Sequence, residues 1–357
     1  MSNNNSSSSS ARLSANLELN SQQYKAKDRE ILKFTLTNNS NESVNVLKWA
    51  TPLEGIYDDM FWVKKQEEVA VYLGRIMKRG APKAEDYVTL DPKESISSDF
   101  DLTEVYDISN SGNYTIEYDS HILDVGTEEP RTLATRISET REFRTQRLRS
   151  NVVEFKLLED RSAKQSKGVA LDWSERLSAA AEVPNFRACT TNQRNFLEDA
   201  LKESEKIAKQ AQSVLSTTNR PDAPRYKEWF GDHTVQRYNK VKSNFDKIAD
   251  AIANETIIFN CSMADCGSDS TFAYVYPTRP YEIFLCNAFW NARLTGTDSK
   301  SGTIVHEMSH FNIVAGTDDN VYGQPNCRQL ARDIPEDAIA NADSHEYFAE
   351  NTPPLTM

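Results

Sequence analysis

The hydrophobic period of this chain changes once, and that change constrains the fold more than any other feature. Before residue 158, short runs such as Ile31–Thr37 and Ser43–Trp49 alternate between apolar and polar residues and end in turn-forming clusters. After residue 184, apolar residues recur every three or four positions, as they do along Asn192–Leu215. We therefore predict an α+β protein in which a β-sandwich-like domain precedes an α-rich domain with a small sheet.

The length of 357 residues fits two domains, which we place at 11–158 and 184–357. Between them, residues 159–168 are charged and polar and end in glycine, which predicts an exposed linker over 159–183. Residues 1–10 lack the basic and apolar regions of a secretory signal and read as a disordered leader or linker. In the second domain, further helices are predicted at about 235–251, 299–312 and 335–350, and strands at 257–259, 271–276 and 281–285.

Acidic residues outnumber basic ones by 53 to 41, which gives a formal net charge of −12. A nucleic-acid-binding protein needs a basic face to neutralise phosphates, so this balance argues against that class. It also argues against an anionic membrane surface and favours neutral or cationic partners. No run of 18 or more apolar residues is present, so no membrane span is predicted.

All five cysteines lie in the second half of the chain: Cys189, Cys261, Cys266, Cys286 and Cys327. This placement suggests two disulfides and one leftover thiol, and therefore an oxidising compartment. The residues alone leave open that all five are unpaired thiols buried as small apolar side chains. A zinc knuckle is disfavoured because the one close pair, Cys261 and Cys266, does not have CxxC spacing.

Residues 306–310 read His-Glu-Met-Ser-His, which is the pattern HExxH. Positions i and i+4 share one face of a helix, so His306 and His310 can bind one zinc ion. Glu307 can reach a water molecule on the open side of the metal, whose pKa zinc lowers to about 7. In this interpretation the carboxylate takes the proton as the water attacks a peptide carbonyl. A helix that binds no metal is the alternative for so short a pattern.

Catalytic zinc takes three protein ligands, and the residues leave the third one open. The metzincin pattern is absent, because positions 313 and 316 hold isoleucine and glycine where glycine and histidine are required. Acids of a downstream helix are available at Glu336, Glu346 and Glu350. A nearer possibility is that Gly316 ends the helix and an aspartate just beyond it meets the metal from the side.

The HExxH pattern is followed at 316–323 by Gly-Thr-Asp-Asp-Asn-Val-Tyr-Gly, and the two together resemble the signature of the aspzincin (deuterolysin) metallopeptidases, HExxH and GTxDxxYG. The resemblance implies a zincin-like domain that holds one zinc ion through His306, His310 and Asp319. It further implies that Glu307 is the general base and that Tyr322 stabilises the oxyanion. A phenol group aimed at developing negative charge lowers the barrier, which gives the last role a physical basis.

From about residue 185 to 351 the chain is similar to one subgroup of that family, the peptidyl-Lys metalloendopeptidases. This resemblance implies that Asp343 and Glu346 attract the substrate lysine that directly follows the scissile bond, the P1′ residue. The two acids form an i,i+3 pair on one helical face, and the alternative is a solvated acidic face.

The same resemblance also implies how the cysteines are paired. It implies the bridges Cys189–Cys261 and Cys266–Cys286, whereas Cys327 departs from the family pattern and is expected to be a free thiol. His121, His233 and His345 are expected to be structural.

These features predict a secreted zinc endopeptidase that is made as a zymogen and cuts protein or peptide substrates before lysine. Residues 11–158 would then be a propeptide that covers the cleft or assists folding, with Lys164 and Lys167 as candidate self-cleavage points. A permanent substrate-binding or adhesion module is the alternative for that domain. For the whole chain, the alternatives are an endopeptidase of broad specificity and a non-catalytic adhesion or toxin subunit.

Overall fold

The structure is a computed structural model that describes residues 13–127, 145–161, 184–217 and 223–356. The predicted leader, the linker from residue 162 onward, and the cleavage candidates Lys164 and Lys167 lie outside the described residues. The described chain is mixed α and β, with strands in the first half and most helices in the second, as the change of period predicts.

The N-terminal domain consists of short strands joined by turns. Alternation along the strands produces its core, since Leu32, Phe34 and Leu36 of one strand are fully buried while intervening residues reach the surface. The strands are β1 (Leu13–Leu19), β2 (Gln23–Tyr24), β3 (Ile31–Asn38), β4 (Val44–Leu47), β5 (Phe61–Lys65), β6 (Glu68–Val69), β7 (Ile76–Arg79), β8 (Tyr87–Leu90), β9 (Ser95–Asp101), β10 (Gly112–Ile122), β11 (Val125–Gly126), β12 (Gln146–Arg149) and β13 (Val153–Leu157).

The pairing of these strands does not confirm a sandwich-like arrangement. They divide among three sheets, with the orders β1-β3-β9, β2-β13-β10-β5-β6 with β12 also on β10, and β11-β4-β8. The seventh strand, β7, joins none of the three. Contacts with this part of the chain reach at least Arg161, whose guanidinium pairs with the buried Glu30.

The C-terminal domain packs helices around a small sheet. Its strands are β14 (Asn185–Arg187), β15 (Ile258–Asn260), β16 (Thr271–Val275) and β17 (Glu282–Leu285). Its helices are α1 (Thr191–Thr217), α2 (Pro224–Phe230), α3 (Val235–Asn254), α4 (Asn287–Asn291), α5 (Lys300–His310), α6 (Gln324–Asp333), α7 (Pro335–Ala338) and α8 (Ala342–Glu350). No helix among the described residues combines the length and the apolar character that a membrane crossing requires.

Two helix predictions are wrong in detail. A single helix over 335–350 is not present, because Asn341 is extended and its side-chain oxygen accepts the backbone N–H of Val321, which separates α7 from α8. The helix predicted at 299–312 stops at His310, because Phe311 is already extended. Gly316, with φ of +59°, therefore turns the loop that follows and does not end the helix.

Strand β7 joins the two domains. It belongs to the N-terminal half of the sequence but is the last strand of the C-terminal sheet, whose order is β14-β15-β17-β16-β7. It pairs antiparallel with β16, and all four of its residues are buried. Side chains of Leu47, Trp49 and Leu123 also pack into the core of the C-terminal domain.

Both disulfides lie in the C-terminal domain and have the pairing that the resemblance implies. Cys189–Cys261 ties the segment before α1 to the end of β15, and Cys266–Cys286 ties a loop to the end of β17. Cys327 is a buried free thiol in α6.

Candidate metal centre and lysine pocket

Helix α5 carries the HExxH pattern through the interior of the C-terminal domain, and every one of its residues is buried. Ser299 caps its first turn by accepting the N–H of Gly302 at 2.9 Å. Gly302 permits a close approach of α8, because a Cβ atom there would lie 2.0 Å from Glu350 Oε1 and 2.8 Å from Glu346 Oε1. The lack of a side chain at one position of α5 thus brings the acids of α8 beside the metal-binding pattern.

Three side-chain atoms converge at the C-terminal end of α5. His306 Nε2 lies 3.1 Å from His310 Nε2 and 3.2 Å from Asp319 Oδ1, and His310 Nε2 lies 3.6 Å from that same oxygen. Zinc bound tetrahedrally at about 2.0–2.1 Å separates its ligand atoms by about 3.3 Å, so these distances match its coordination shell. All three side chains are essentially fully buried.

The loop after α5 returns Asp319 to the histidines through backbone and hydroxyl contacts. Thr317 donates its N–H to Ser309 O at 3.1 Å, and its hydroxyl lies 2.6 Å from that of Ser309. Asp318 then bridges to the segment before α8, donating to Ala340 O at 2.8 Å and accepting from Ala342 N at 3.0 Å. The aspartate next in sequence is thereby fixed beside α5.

Contacts of the outer ring nitrogens orient both histidines. His310 Nδ1 lies 2.7 Å from Thr317 O and donates to it, which leaves Nε2 as the free acceptor that a metal needs. Burial lowers the pKa of His310 to about 4, so the ring is neutral in the physiological range. Nδ1 of His306 lies 2.9 Å from Asp343 Oδ1 and 3.2 Å from Glu346 Oε2.

Charge at the centre also favours a bound cation. Burial by itself lowers the pKa of His306, but the adjacent Asp319 carboxylate raises it, and the net pKa lies well above the ordinary value. Asp319 Oδ1 makes no hydrogen bond within the described residues, although it is buried. A positive ion among these atoms satisfies both observations, so the residues present fit zinc.

Glu307 is fully buried, and neither of its carboxylate oxygens has a hydrogen-bond partner among the described residues. Burial raises its pKa to about 8. A group whose pKa lies near the working pH can both take up and release a proton, as a general acid-base group must.

Tyr322 is the second polar group at the centre. Its Oη lies 2.9 Å from Asp319 Oδ2 and 2.7 Å from the carbonyl oxygen of Met77, a residue of β7. Burial raises the pKa of this phenol well above its usual value, so the group remains a hydrogen-bond donor. The ring of Trp49 packs edge-on against that of Tyr322, with centroids 5.8 Å apart.

Asp343 and Glu346 are buried on α8 and not solvated, so the alternative of an acidic surface does not apply to this pair. Between them lies the ammonium group of Lys78, with Nζ 3.1 Å from Asp343 Oδ1 and 2.5 Å from Glu346 Oε2. Asp298 Oδ1 is 3.8 Å from the same nitrogen. We call these three acids the lysine pocket.

In the lysine pocket, charge pairing has a larger effect on the pKa values of Lys78 and Asp343 than burial has. Burial alone lowers the pKa of Lys78, but Asp343 and Glu346 raise it well above its ordinary value. Burial alone raises the pKa of Asp343, but Lys78 and His306 lower it below its usual range. The ammonium and this carboxylate therefore both remain charged across the neutral pH range.

The other third-ligand candidates lie elsewhere. Glu350 accepts the N–H and hydroxyl of Ser299 at 2.9 and 2.6 Å and acts as a helix cap. Glu336 pairs with Arg237 at the surface. Asp318 is not in the triad of ligand atoms, and burial raises its pKa to about 8.

The remaining histidines have structural surroundings. His121 Nε2 lies 3.0 Å from Asp337 Oδ2, a contact between the two domains. His345 is buried between Asn244 and the carbonyl of Asn341, and His233 packs beside Tyr226 and Tyr238.

Sequence reasoning missed Lys78, and it gave no individual role to Thr317 or Gly302 although both lie in the segments it singled out. Lys78 lies 265 residues before Asp343 in a run, Ile-Met-Lys-Arg, that carries no motif. That run offered no sequence signal from which its contact with Asp343 and Glu346 could have been found.

Comparisons with known proteins agree with this geometry. The family of lysine-specific metallo-endopeptidases, the aspzincins, matches residues 215–350. An extracellular protease of Aeromonas hydrophila is 39% identical over 325 residues, which cover 90% of this chain and 88% of that protein. A peptidyl-Lys metalloendopeptidase of Pleurotus ostreatus is 43% identical over 170 residues, covering 48% of this chain and 98% of that protein.

Among solved structures, a zinc peptidase from Grifola frondosa is 38% identical to this chain. The match covers 47% of this chain and 100% of that peptidase, with a TM-score of 0.44. The likeness to the Aeromonas protein extends over both domains of the chain, because it spans nine-tenths of the length. The protein therefore belongs to the aspzincin family of zinc metalloendopeptidases.

Proposed function

We propose that this protein is a secreted zinc endopeptidase that hydrolyses the peptide bond before lysine, and that the chain is its latent precursor. The observation that carries the proposal is the lysine pocket beside His306, which already holds a lysine side chain of the same chain. A pocket that binds one lysine ammonium through buried carboxylates can bind another of the same chemistry.

His306, His310 and Asp319 would hold one zinc ion. When bound, zinc lowers the pKa of a water molecule and polarises the substrate carbonyl. Glu307, the general base, takes the proton of the attacking water and later returns it to the leaving amine. Tyr322 donates its phenol hydrogen to the carbonyl oxygen as negative charge develops there.

Specificity for lysine follows from the shape and charge of the pocket. An ammonium is a compact charge with three donors, and three acids surround it here at 2.5, 3.1 and 3.8 Å. An uncharged P1′ side chain would leave Asp343 and Glu346 buried without a counter-ion, which is costly. Arginine would have to fit a broad planar group where the pocket holds a single nitrogen.

Latency is the second part of the proposal. Residues 11–158 are the propeptide, which acts as an intramolecular inhibitor or folding aid, and maturation cuts the linker over 159–183 before Lys164 or Lys167. Secretion is supported by the two disulfides and by the name of the Aeromonas relative. Sequencing the N-terminus of the matured enzyme tests this part, and a start before residue 150 or an unprocessed active chain would contradict it.

Two fluorogenic peptides that differ only at P1′, lysine against glutamine, test the enzymatic part. After maturation, we expect cleavage of the lysine peptide to stop on chelation and to return with added zinc. Asp343→Asn should lower kcat/KM for the lysine peptide by roughly 10²-fold, since it removes one partner of a buried charge pair. Glu336→Gln, which changes an exposed acid of the same domain, is the matched control.

Equal rates on both peptides would favour the alternative of broad specificity. Absence of chelator-sensitive cleavage of either peptide would favour a non-catalytic subunit. Zinc content of Asp343→Asn should be measured in parallel, because Asp343 also lies beside His306.

A further inference from the structure

We infer that β7 is a built-in substrate mimic that closes the cleft, with the Met77–Lys78 peptide bond in the position of the scissile bond. This inference rests on the proposed function and adds to it which segment blocks the site and in which register. It also assigns β16 as the strand on which substrates bind.

The backbone evidence is the pairing of β7 with β16. Ile76, Met77 and Lys78 pair antiparallel with Val275, Tyr274 and Ala273. Because β7 is the last strand in its sheet, β16 becomes an edge strand wherever β7 is absent. An edge strand binds extended peptides through main-chain hydrogen bonds, and its side-chain pockets give specificity.

Two side-chain contacts fix the register at the centre. The carbonyl oxygen of Met77 lies 2.7 Å from Tyr322 Oη, and the next residue, Lys78, places its ammonium in the lysine pocket. A peptidase that cuts before lysine acts on the carbonyl that precedes the lysine. A one-residue slip of β7 would turn the lysine to the opposite face of the strand, so this alignment is specific.

The N-terminal domain holds β7 in place from the other side. Arg79, the residue after Lys78, stacks over the Trp49 ring at 4.9 Å and pairs with Glu54 Oε1 at 2.9 Å. Gly80 donates its N–H to Ser270 O at 2.9 Å, which extends the contact to the C-terminal domain. The strand is thus anchored beyond the cleft, and an incoming peptide has to displace it.

The side chain of Lys78 blocks the lysine pocket. This side chain is 1% exposed, and it fills the pocket that the P1′ lysine of a substrate requires. Substrate and β7 therefore compete for the same two carboxylates and the same strand edge.

The experiment uses the full chain, purified with a chelator and started by adding zinc, with a lysine reporter peptide present. The wild type should show a lag in reporter cleavage that ends as the N-terminal domain is cut away, followed on gels of the same samples. Lys78→Ala should shorten the lag at least tenfold and cleave the reporter while the chain is still intact. Lys156→Ala, an exposed lysine on β13 of the same domain, is the matched control and should keep the wild-type lag.

The outcomes separate this inference from the proposed function. If Lys78→Ala keeps the full lag and both chains reach the same final rate, the enzyme is as proposed but β7 does not block its cleft. If neither chain ever cleaves the reporter, the proposed function fails and the inference fails with it.

A second readout does not depend on catalysis or on the stability of the alanine variant. In the full chain carrying Glu307→Gln, an amine-reactive reagent should label Lys78 at least tenfold more slowly than Lys156, as followed by peptide mass spectrometry. Equal labelling rates would overturn the inference.

Discussion

The two domains display their chemistry in opposite ways. In the C-terminal domain, one helix and the loop after it carry the candidate metal centre, because residues 306–323 contain His306, His310, Asp319, Glu307 and Tyr322. In the N-terminal domain, the contact that we propose to block the cleft is made by Lys78, whose partners lie 265 and 268 residues away. Local patterns thus reveal a reaction centre, whereas a segment that blocks it becomes visible only through tertiary register.

This contrast predicts that variants of the candidate site in the C-terminal domain change the rate of the mature enzyme. Variants of β7 should change only the length of the lag before that rate is reached. The largest expected effect is that of Glu307→Gln. Replacing the buried carboxylate removes the proposed general base and should lower kcat about 10²–10⁴-fold without loss of zinc. Steady-state rates and metal analysis of the matured protein check this. Full activity in Glu307→Gln would assign the base elsewhere and break the comparison.

Tyr322→Phe should have the next largest effect. It removes the hydroxyl that donates to the carbonyl oxygen of Met77, and loss of an oxyanion donor, the role proposed for Tyr322, costs about 10²–10³-fold in kcat. The change should appear in kcat more than in KM. Tyr238→Phe, which loses a hydrogen bond to Leu215 O and not one to any residue of the candidate site, should leave both constants unchanged.

The two disulfides of the C-terminal domain allow a prediction about stability. Cys189–Cys261 closes a loop with a sequence separation of 72, and Cys266–Cys286 one of 20. Chain-entropy arguments then give about 4 and 3 kcal/mol, so Cys189→Ala with Cys261→Ala should lower the free energy of unfolding more than the second double variant. Denaturant unfolding of the two variants measures this order, and an inverted order would show that strain or residual structure outweighs loop length.

Gly302→Ala should have the smallest effect, about 1–3 kcal/mol of stability from overpacking. The added methyl would meet Glu350 and Glu346, so α8 would have to move away from α5. Thermal unfolding gives the loss of stability, and a matching rise in KM for a lysine peptide would show the displaced pocket. A variant with unchanged melting temperature and KM would mean that α8 does not depend on this close approach.

The sequence could predict the parts of the molecule that are local or that a family signature fixes. The i,i+4 spacing of His306 and His310 and the position of Asp319 in the second motif led to atoms that the structure brings within 3.6 Å of one another. The break between α7 and α8 could not be predicted, because it depends on Asn341 bonding to Val321, 20 residues away. Strand β7 could not be predicted for the same reason, because its position depends on a distant partner strand. Its four residues are all buried and mix apolar with basic side chains, so they show no alternation.

The central claim is that a carboxylate pocket beside the metal centre selects lysine after the scissile bond. Digestion of a defined polypeptide by the matured, zinc-restored protein, with the cut sites mapped by mass spectrometry, tests it most directly. The account predicts new N-termini that begin with lysine, no cuts after chelation, and the same cuts once zinc is returned. Cuts spread over unrelated P1′ residues, or cuts that persist in the chelator, would contradict it.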